Sequence, residues 1–120
     1  MTKEIDKLID KFLDIAEELY NFASSDDASS SDFEKLSKLS DAYILTAVAL
    51  NPKTPIEILI KLYEHYDGIG GTDEEMRVHI VNNPALTNKL LEDYSENDKS
   101  VVVQKAAAKA LELKIREEKS

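Results

Sequence analysis

The sequence predicts an all-α fold, and three observations lead to that prediction. Glycine and proline are scarce, with three of each in 120 residues, whereas all-β folds need many more turn residues. Apolar residues recur along most of the chain with the three- and four-residue spacing of amphipathic helices. Helix start and stop signals interrupt that pattern at intervals typical of globular helices. Because the chain also has single-domain length, residues 1–120 are predicted to form one domain.

The periodicity and the end signals predict seven helices. They span about 3–23, 32–39, 41–50, 55–66, 73–82, 86–95 and 99–117. Asn51-Pro52 and Asn83-Pro84 are predicted helix ends, because the residue before a proline is disfavoured in the α conformation. Capping boxes are predicted at three helix starts, between Ser31 and Glu34, Thr54 and Glu57, and Thr72 and Glu75.

Residues 1–23 form a strongly amphipathic segment. Its apolar stripe follows a heptad spacing through Ile5, Leu8, Phe12, Ile15, Leu19 and Phe22, and Ile9, Leu13, Ala16 and Tyr20 widen it. A face of that width favours contact with more than one helix, so residues 1–23 are predicted to cap the end of the fold. An intermolecular coiled coil is the alternative. Residues 24–32, SSDDASSSD, lack periodicity and are predicted to be a flexible linker before the helical repeats of residues 33–120.

The remainder of the chain contains a degenerate internal repeat. Aligning Asn51-Pro52 on Asn83-Pro84 places Ile44 on Met76, Val48 on Ile80 and Leu59 on Leu91. A third copy begins in SVVVQKAAAKA, residues 100–110. Helix pairs of this kind bury their apolar faces by stacking on each other, so the predicted architecture is a short right-handed α-solenoid of degenerate helical repeats.

The segment AVALNPKTPIEILIKL, residues 47–62, resembles the leucine-rich repeat variant, an α-helical relative of HEAT-type repeats. The resemblance covers about residues 33–110. It departs from the family pattern where Thr87 or Asn88 replaces the second proline and where the third copy lacks Asn-Pro, and the characteristic arginine is retained as Arg77. The chain has no cysteine, so the cysteine-ligated iron–sulfur domain of the founding member has no counterpart here. What the resemblance implies is an α-helical repeat fold that binds proteins.

The net charge of −9 is unevenly distributed along the chain. Residues 1–100 carry −11 and residues 101–120 carry +2. An acidic surface repels phosphate backbones, so direct nucleic-acid binding is not expected. Charged residues every three or four positions in the first helix argue against a signal peptide or a membrane span there, and the protein is expected to be soluble and cytoplasmic.

None of the residue patterns that support catalysis, metal binding or cofactor binding is complete. His65 and His79 lack the ligand spacing of a zinc site. GIGGT, residues 68–72, lacks the lysine and the preceding strand of a phosphate loop. Residues 93–104 lack the central glycine and the final glutamate of a calcium loop. We therefore predict a protein that is not an enzyme and has no catalytic, cofactor-binding or metal-binding residues.

The predicted function is a non-enzymatic protein–protein interaction module of the α-helical repeat type. The expected partner is another protein, and the acidic surface favours a basic one, with no membrane contact and a monomer favoured over a homo-oligomer. The alternative is a small acidic inhibitor or immunity protein that blocks a basic site on a toxin, a nuclease or a nucleic-acid-binding protein. The predicted partner-binding residues are eight acids on the repeats: Glu57, Glu64, Asp67, Asp73, Glu74, Glu92, Asp93 and Glu96.

Overall fold

The structure is a computed structural model that describes residues 2–119. That part of the chain contains seven α-helices and no strand. The helices are α1 (Thr2–Ala23), α2 (Ser30–Ser37), α3 (Ala42–Leu50), α4 (Ile56–His65), α5 (Gly71–Val81), α6 (Asn88–Asn97) and α7 (Val101–Lys119). The all-α prediction is confirmed, and each helix begins and ends within two residues of its predicted bounds.

The helices pack in an alternating order. Helix α1 contacts α3, α3 contacts α5 and α5 contacts α7, so helices two apart in the sequence are neighbours in space. On the flank of this row, α2 contacts α3 and α4, α4 contacts α5, and α6 contacts α7. The molecule measures 59 × 31 × 21 Å and has a radius of gyration of 16.4 Å. A compact domain of this length has a radius of gyration of about 14 Å, so the fold is elongated.

The core lies between these packed helices and contains the residues that the repeat alignment selected. The sequence predicts that Leu59, Leu62, Ile80, Val81, Ala107 and either Leu90 or Leu91 are buried, and the first five are buried, together with Leu91 of the alternative pair. Helix α3 lies at the centre of the row and buries Ile44, Leu45, Ala47, Val48 and Ala49. The small side chains of Ala47 and Ala49 leave room for neighbouring helices, and α3 contacts both α1 and α5.

Two asparagines at equivalent positions join successive helices. The Asn51 side-chain amide donates to the carbonyls of Ala23 at 2.8 Å and Ser25 at 2.9 Å. The Asn83 amide donates to the carbonyls of Ala49 at 2.7 Å and Asn51 at 2.9 Å. Each amide oxygen also accepts the backbone N–H two residues further on, at 2.9 Å. Because the last carbonyls of a helix lack partners within the helix, these asparagines satisfy groups that would otherwise be buried without a hydrogen bond.

The predicted linker, residues 24–32, overlaps the start of α2. Ser29 and Asp32 form the capping box, in place of the predicted pair two residues later. Helix α2 therefore begins at Ser30, and Ala28 just before it is buried in the core. Local hydrogen bonds to the serine and aspartate side chains favour a helix start here over an extended connection.

The other two predicted capping boxes are wrong. The Thr54 hydroxyl donates to the Val48 carbonyl at 2.6 Å, so Pro55 is the N-cap of α4 and makes no side-chain cap. Helix α5 begins at Gly71, earlier than predicted, because Gly70 adopts a φ of 80° that turns the chain into the helix. In both cases the threonine and glutamate have the sequence spacing of a capping box, but the path of the preceding loop makes the helix begin at a different residue.

Helix α1 is amphipathic as predicted, but most of its apolar face is exposed. Its C-terminal third packs on α3, where Ala23 is buried and the Tyr20 ring stacks on Tyr43 with the ring centroids 4.4 Å apart. The apolar side chains of residues 5–15 are at least half exposed, so the prediction that neighbouring helices cover them is wrong. Helix α3 has nine residues and α1 has 22, which at 1.5 Å per residue is about 13 Å against about 33 Å. The shorter helix reaches only one end of the longer one.

Candidate functional site

A cleft of about 370 Å³ lies between α4 and α6 and is the candidate functional site. It is lined by Tyr63, Glu64, Asp67, Arg77, Asp93, Tyr94, Asn97, Asp98 and Lys99. These residues come from α4, α5, α6 and the segments that follow α4 and α6. The cleft combines a buried ion pair, a pair of aromatic rings and exposed carboxylates.

Arg77 and Asp98 form a two-pronged ion pair beneath the cleft. Arg77 Nε donates to Asp98 Oδ2 at 3.0 Å and Nη2 donates to Oδ1 at 3.1 Å. Nη1 donates to the carbonyls of Tyr66 at 2.5 Å and Gly68 at 2.6 Å, and the guanidinium lies 5.9 Å from the centroid of the Tyr63 ring. The two side chains are only 1% and 4% exposed, and a charged pair so far from water is stable only when its hydrogen bonds are satisfied. The guanidinium therefore joins α5 to the α4–α5 loop and to the α6–α7 junction.

Asp98 also organises the junction between α6 and α7. Its carboxylate accepts hydrogen bonds from the Ser100 backbone N–H at 2.8 Å and from the Tyr63 hydroxyl, and its carbonyl accepts one from the Gln104 side chain. Burial raises the pKa of Asp98, but the hydrogen bonds from Arg77, Tyr63 and Ser100 outweigh burial and hold that pKa below its usual value. Asp98 is therefore ionised at physiological pH, and its charge balances that of Arg77.

Tyr63 and Tyr94 form the aromatic floor of the cleft. Their rings stack with 3.7 Å between centroids and 10° between planes. Burial raises the pKa of Tyr94 to about 12, and the carboxylates of Asp93 and Glu64 add to that rise. Burial and the hydrogen bond to Asp98 raise the pKa of Tyr63 as well. Both phenols are neutral at physiological pH, so the floor presents uncharged aromatic faces.

Carboxylates lie on the rim above this floor. Glu64, Asp67 and Asp93 are exposed, and among residues 2–119 no side chain forms an ion pair with any of the three. Asp93 accepts a hydrogen bond from the Asn97 side-chain amide at 2.7 Å, which fixes its position on α6. Lysine and arginine side chains bind both carboxylates and aromatic faces. The arrangement is therefore suited to a cationic group that enters from solvent.

The structure divides the eight predicted partner-binding acids into three groups. Glu64, Asp67 and Asp93 line the cleft. Asp73 accepts a hydrogen bond from the Gly68 backbone N–H at 2.9 Å. Glu74 accepts one from the Gly70 backbone N–H, also at 2.9 Å, so these two acids are engaged at the start of α5. Glu57, Glu92 and Glu96 are exposed and lie outside the cleft lining.

Six of the nine lining residues were not among the predicted partner-binding residues, and three of those six define the site: Tyr63, Tyr94 and Asp98. The repeat alignment places Tyr94 on Leu62, an apolar core position, and Asp98 was noted only as the residue that stands where a calcium loop needs its central glycine. The available signal was Arg77, a charged residue between Met76 and Val78 in a helix with buried apolar positions. A buried guanidinium requires a carboxylate partner, and that requirement would have drawn attention to the acids of the last two helices.

No protein-family model, curated protein or solved structure matches this chain. Within the described part of the chain, no cluster of three or more histidine, cysteine, aspartate or glutamate residues is arranged to hold a metal ion. No helix of that part is long and apolar enough to cross a membrane. The cleft is therefore the feature of this structure that bears most directly on function.

Proposed function

We propose that this protein is a non-enzymatic interaction module whose cleft between α4 and α6 receives a cationic side chain of a basic partner protein. The observation that carries the proposal is the combination of three rim carboxylates with an uncharged, stacked tyrosine pair below them. A lysine or arginine in the cleft gains charge-assisted hydrogen bonds at the rim. The Tyr63 ring already stacks on Tyr94 and lies against the Arg77 guanidinium, so the tyrosine pair supplies an apolar floor of low dielectric that strengthens those hydrogen bonds.

The buried ion pair supports this proposal because it holds the cleft in shape without a partner. Arg77 fixes the end of α4, and Asp98 fixes the end of α6, so the two walls of the cleft are joined beneath the floor. A binding site that is already ordered loses less conformational entropy when the partner binds. By keeping the cleft ordered, the ion pair therefore favours tighter binding of the partner at the rim carboxylates.

The proposed architecture is a short right-handed α-solenoid related to the leucine-rich repeat variant. The contacts between alternate helices, the equivalent hydrogen bonds of Asn51 and Asn83, and the elongated shape support it. In this arrangement α1 is the N-terminal capping helix, acting through the third of its length that packs on α3. Stacked repeats present extended surfaces, which suits protein binding.

A second candidate function, an acidic inhibitor or immunity protein, uses the same charge in a different way. The net charge of −9, together with the exposed acids Glu57, Glu92 and Glu96 outside the cleft, favours a broad electrostatic contact with a basic surface. The two functions differ in their effect on the activity of the partner. An inhibitor abolishes the catalytic or nucleic-acid-binding activity of its partner at stoichiometric ratio, and assaying the captured partner for that activity distinguishes them.

The test compares two triple variants that lose the same charge. The cleft variant carries Glu64→Gln, Asp67→Asn and Asp93→Asn. The control variant carries Glu57→Gln, Glu92→Gln and Glu96→Gln. A basic partner is captured with the wild-type protein, and its Kd is then measured for each variant. We expect the cleft variant to bind at least about tenfold more weakly than the wild type, which corresponds to about 1.4 kcal/mol. We expect the Kd of the control variant to stay within about threefold of the wild-type value.

The result that would overturn the cleft as the binding site is an equal loss of affinity in both variants, since long-range charge alone would then account for binding. Salt gives a second readout. Association with a basic partner slows between ~50 and ~300 mM salt when carboxylates attract it, because screening shortens the range of the attraction. A rate that does not change over that range argues for an apolar contact.

A further inference from the structure

Helix α1 exposes a continuous apolar face. Its members, each 50–61% exposed, are Ile5, Leu8, Ile9, Phe12, Leu13 and Ile15. If each leaves roughly 100 Å² in water, the face exposes on the order of 600 Å² of side-chain surface. That is the upper end of the range for the largest apolar patch on a monomeric protein, about 300–600 Å².

The exposed residues keep the spacing of a helix-pairing seam. Ile5 and Phe12 share one heptad position, and Leu8 and Ile15 share the other, so four of the six lie where a partner helix would dock. Ile9 lies beside the seam and widens it. A heptad seam contacts a second helix along its length, and no helix of the described chain provides that contact for residues 5–15.

We propose that α1 pairs with α1 of a second copy of this chain in antiparallel orientation, forming a homodimer. When all six apolar side chains of each copy are covered, the two faces bury on the order of 1,200 Å², which is the lower limit of the range of stable protein interfaces, about 1,200–2,000 Å². The exposed apolar residues of α7 do not offer an equal partner. Val101 and Val102 lie at its start and Leu113 and Ile115 near its end, so the four do not form one continuous face.

The charges of α1 favour the antiparallel orientation. Its three lysines all lie in residues 3–11, and residues 12–23 contain Asp14, Glu17 and Glu18 without a lysine. A parallel pair would place the two acidic halves side by side. An antiparallel pair places each acidic half beside a half whose three lysines balance its three acids, and it also puts the two acidic bodies at opposite ends of the interface.

A groove beside the C-terminal half of α1 extends the proposed interface. It has a volume of about 250 Å³ and lies between Phe12 and Leu19 on α1 and Leu39 and Ile44 on the other wall. In the antiparallel pair, Ile5 of one copy lies opposite Ile15 of the other, next to this groove. The N-terminal turn of each α1 is therefore covered on two sides.

Membrane binding is the other use of an amphipathic helix, and the polar face of α1 argues against it. Helices that lie on anionic membranes carry a lysine- and arginine-rich polar face. Helix α1 carries six acids and three lysines. Its polar face would be repelled by anionic lipid, whereas a second copy of the same apolar seam is matched in length and shape.

The test measures the molar mass of the full chain by sedimentation equilibrium between ~1 and ~200 µM, with Leu8→Glu as the interface variant. Asn21→Glu is the matched control, because it makes the same change of charge at an exposed position of α1 on the side away from the seam. We expect the wild type and Asn21→Glu to reach twice the 13.5 kDa chain mass. We expect Leu8→Glu to remain folded by circular dichroism and to dimerise at least about 100-fold more weakly, about 2.7 kcal/mol.

Three results would overturn the proposal. The first is a wild type that stays monomeric throughout the concentration range. The second is a Leu8→Glu variant that dimerises as the wild type does, since the interface would then lie elsewhere. The third is a monomer that binds vesicles of phosphatidylcholine and phosphatidylserine. The outcome is independent of the cleft, because Leu8 does not line it.

Orientation is tested with single-cysteine variants, which the absence of native cysteine makes simple. Spin labels are placed at Asp10→Cys, near the centre of the antiparallel pair, and at Asn21→Cys, near its end. With a rise of 1.5 Å per residue, the antiparallel pair separates the labels at position 21 by about 30 Å more along the axis than those at position 10. Equal separations at the two positions would show a parallel pair and overturn the antiparallel arrangement.

Discussion

Arg77 shows at the residue scale how one side chain joins parts of the fold that are distant in sequence. Its guanidinium contacts Asp98 with two nitrogens and the Tyr66 and Gly68 carbonyls with the third. Lysine cannot replace it, because an ammonium group has no planar fork for the carboxylate. The geometry requires arginine at this position because each of its donor nitrogens has a partner inside the fold.

We expect Arg77→Met to lower the free energy of unfolding by about 3–5 kcal/mol, because it leaves the buried Asp98 carboxylate without its counter-charge. The matched control is Arg116→Met, which breaks the exposed pair of Arg116 with Glu112 on α7. Exposed pairs of this kind contribute about 0.5 kcal/mol or less. Urea unfolding of the two variants measures both values. A loss below about 1 kcal/mol for Arg77→Met would show that the buried Asp98 carboxylate is stabilised without its counter-charge.

Tyr94 gives an expectation for alkaline pH. Its pKa rises from 10.0 in the unfolded chain to about 12 in the fold. Below pH 10 the phenol is neutral in both states, so its contribution to stability is fully present there. Between pH 10 and about 12 the unfolded chain ionises first, so the free energy of unfolding falls as the pH rises. We expect the free energy of unfolding of Tyr94→Phe to fall less steeply over that pH interval, as measured by urea unfolding. A slope equal to that of the wild type would contradict the raised pKa.

At the scale of elements, α1 joins two environments within one helix. Tyr20 and Ala23 pack in the fold, and the Ala23 carbonyl accepts a hydrogen bond from Asn51. Residues 5–15 lie along the other part of the helix with their apolar side chains in solvent. The stability of the body therefore depends on the C-terminal third of α1.

Two truncations test this division. Removing residues 1–15 leaves the packed third in place, so we expect the free energy of unfolding of the dilute monomer to change by less than about 1 kcal/mol. Removing residues 1–23 uncovers α3 and leaves the Asn51 amide without the Ala23 carbonyl. We expect the second truncation to lose at least about 3 kcal/mol or to aggregate through the uncovered apolar surface. Equal stability of the two truncated proteins would show that residues 16–23 contribute nothing to the stability of the body.

At the scale of the whole molecule, the alternating packing of the helices produces a long, narrow shape. Each helix pair contacts mainly the next pair, so the fold extends in one direction instead of closing around a single centre. Helix α1 adds to the length because its N-terminal part has no neighbouring helix on its apolar face. Shape is therefore a measurable consequence of the packing order.

Small-angle X-ray scattering of the Leu8→Glu variant measures this shape without the proposed dimer. We expect a radius of gyration near the 16.4 Å of the structure, compared with about 14 Å for a compact domain of the same length. The truncation that lacks residues 1–15 serves as the control and should give a smaller value. A radius near 14 Å for the full-length variant would show that α1 folds back onto the body in solution.

The seven helices and the buried core could be read from the sequence because both follow from short-range patterns. Helix bounds depend on spacings of three and four residues and on prolines that end helices, and all of these are visible in the chain. The alignment of Asn51 with Asn83 also selected the buried positions Leu59, Ile80 and Leu91, because equivalent residues meet equivalent neighbours. The predicted acids Glu64, Asp67 and Asp93 did converge on the cleft.

The tertiary structure alone decided the rest. The stacking of Tyr63 on Tyr94 and the pairing of Arg77 with Asp98 join residues 31 and 21 positions apart, and no local spacing encodes those contacts. Thr54 had the spacing of a cap, but the loop carries its hydroxyl to the Val48 carbonyl. The sequence showed that one face of α1 is apolar. Whether that face is covered depends on where α3, which is less than half as long as α1, docks against it. The burial of a side chain is therefore known only once the packing of the helices is known.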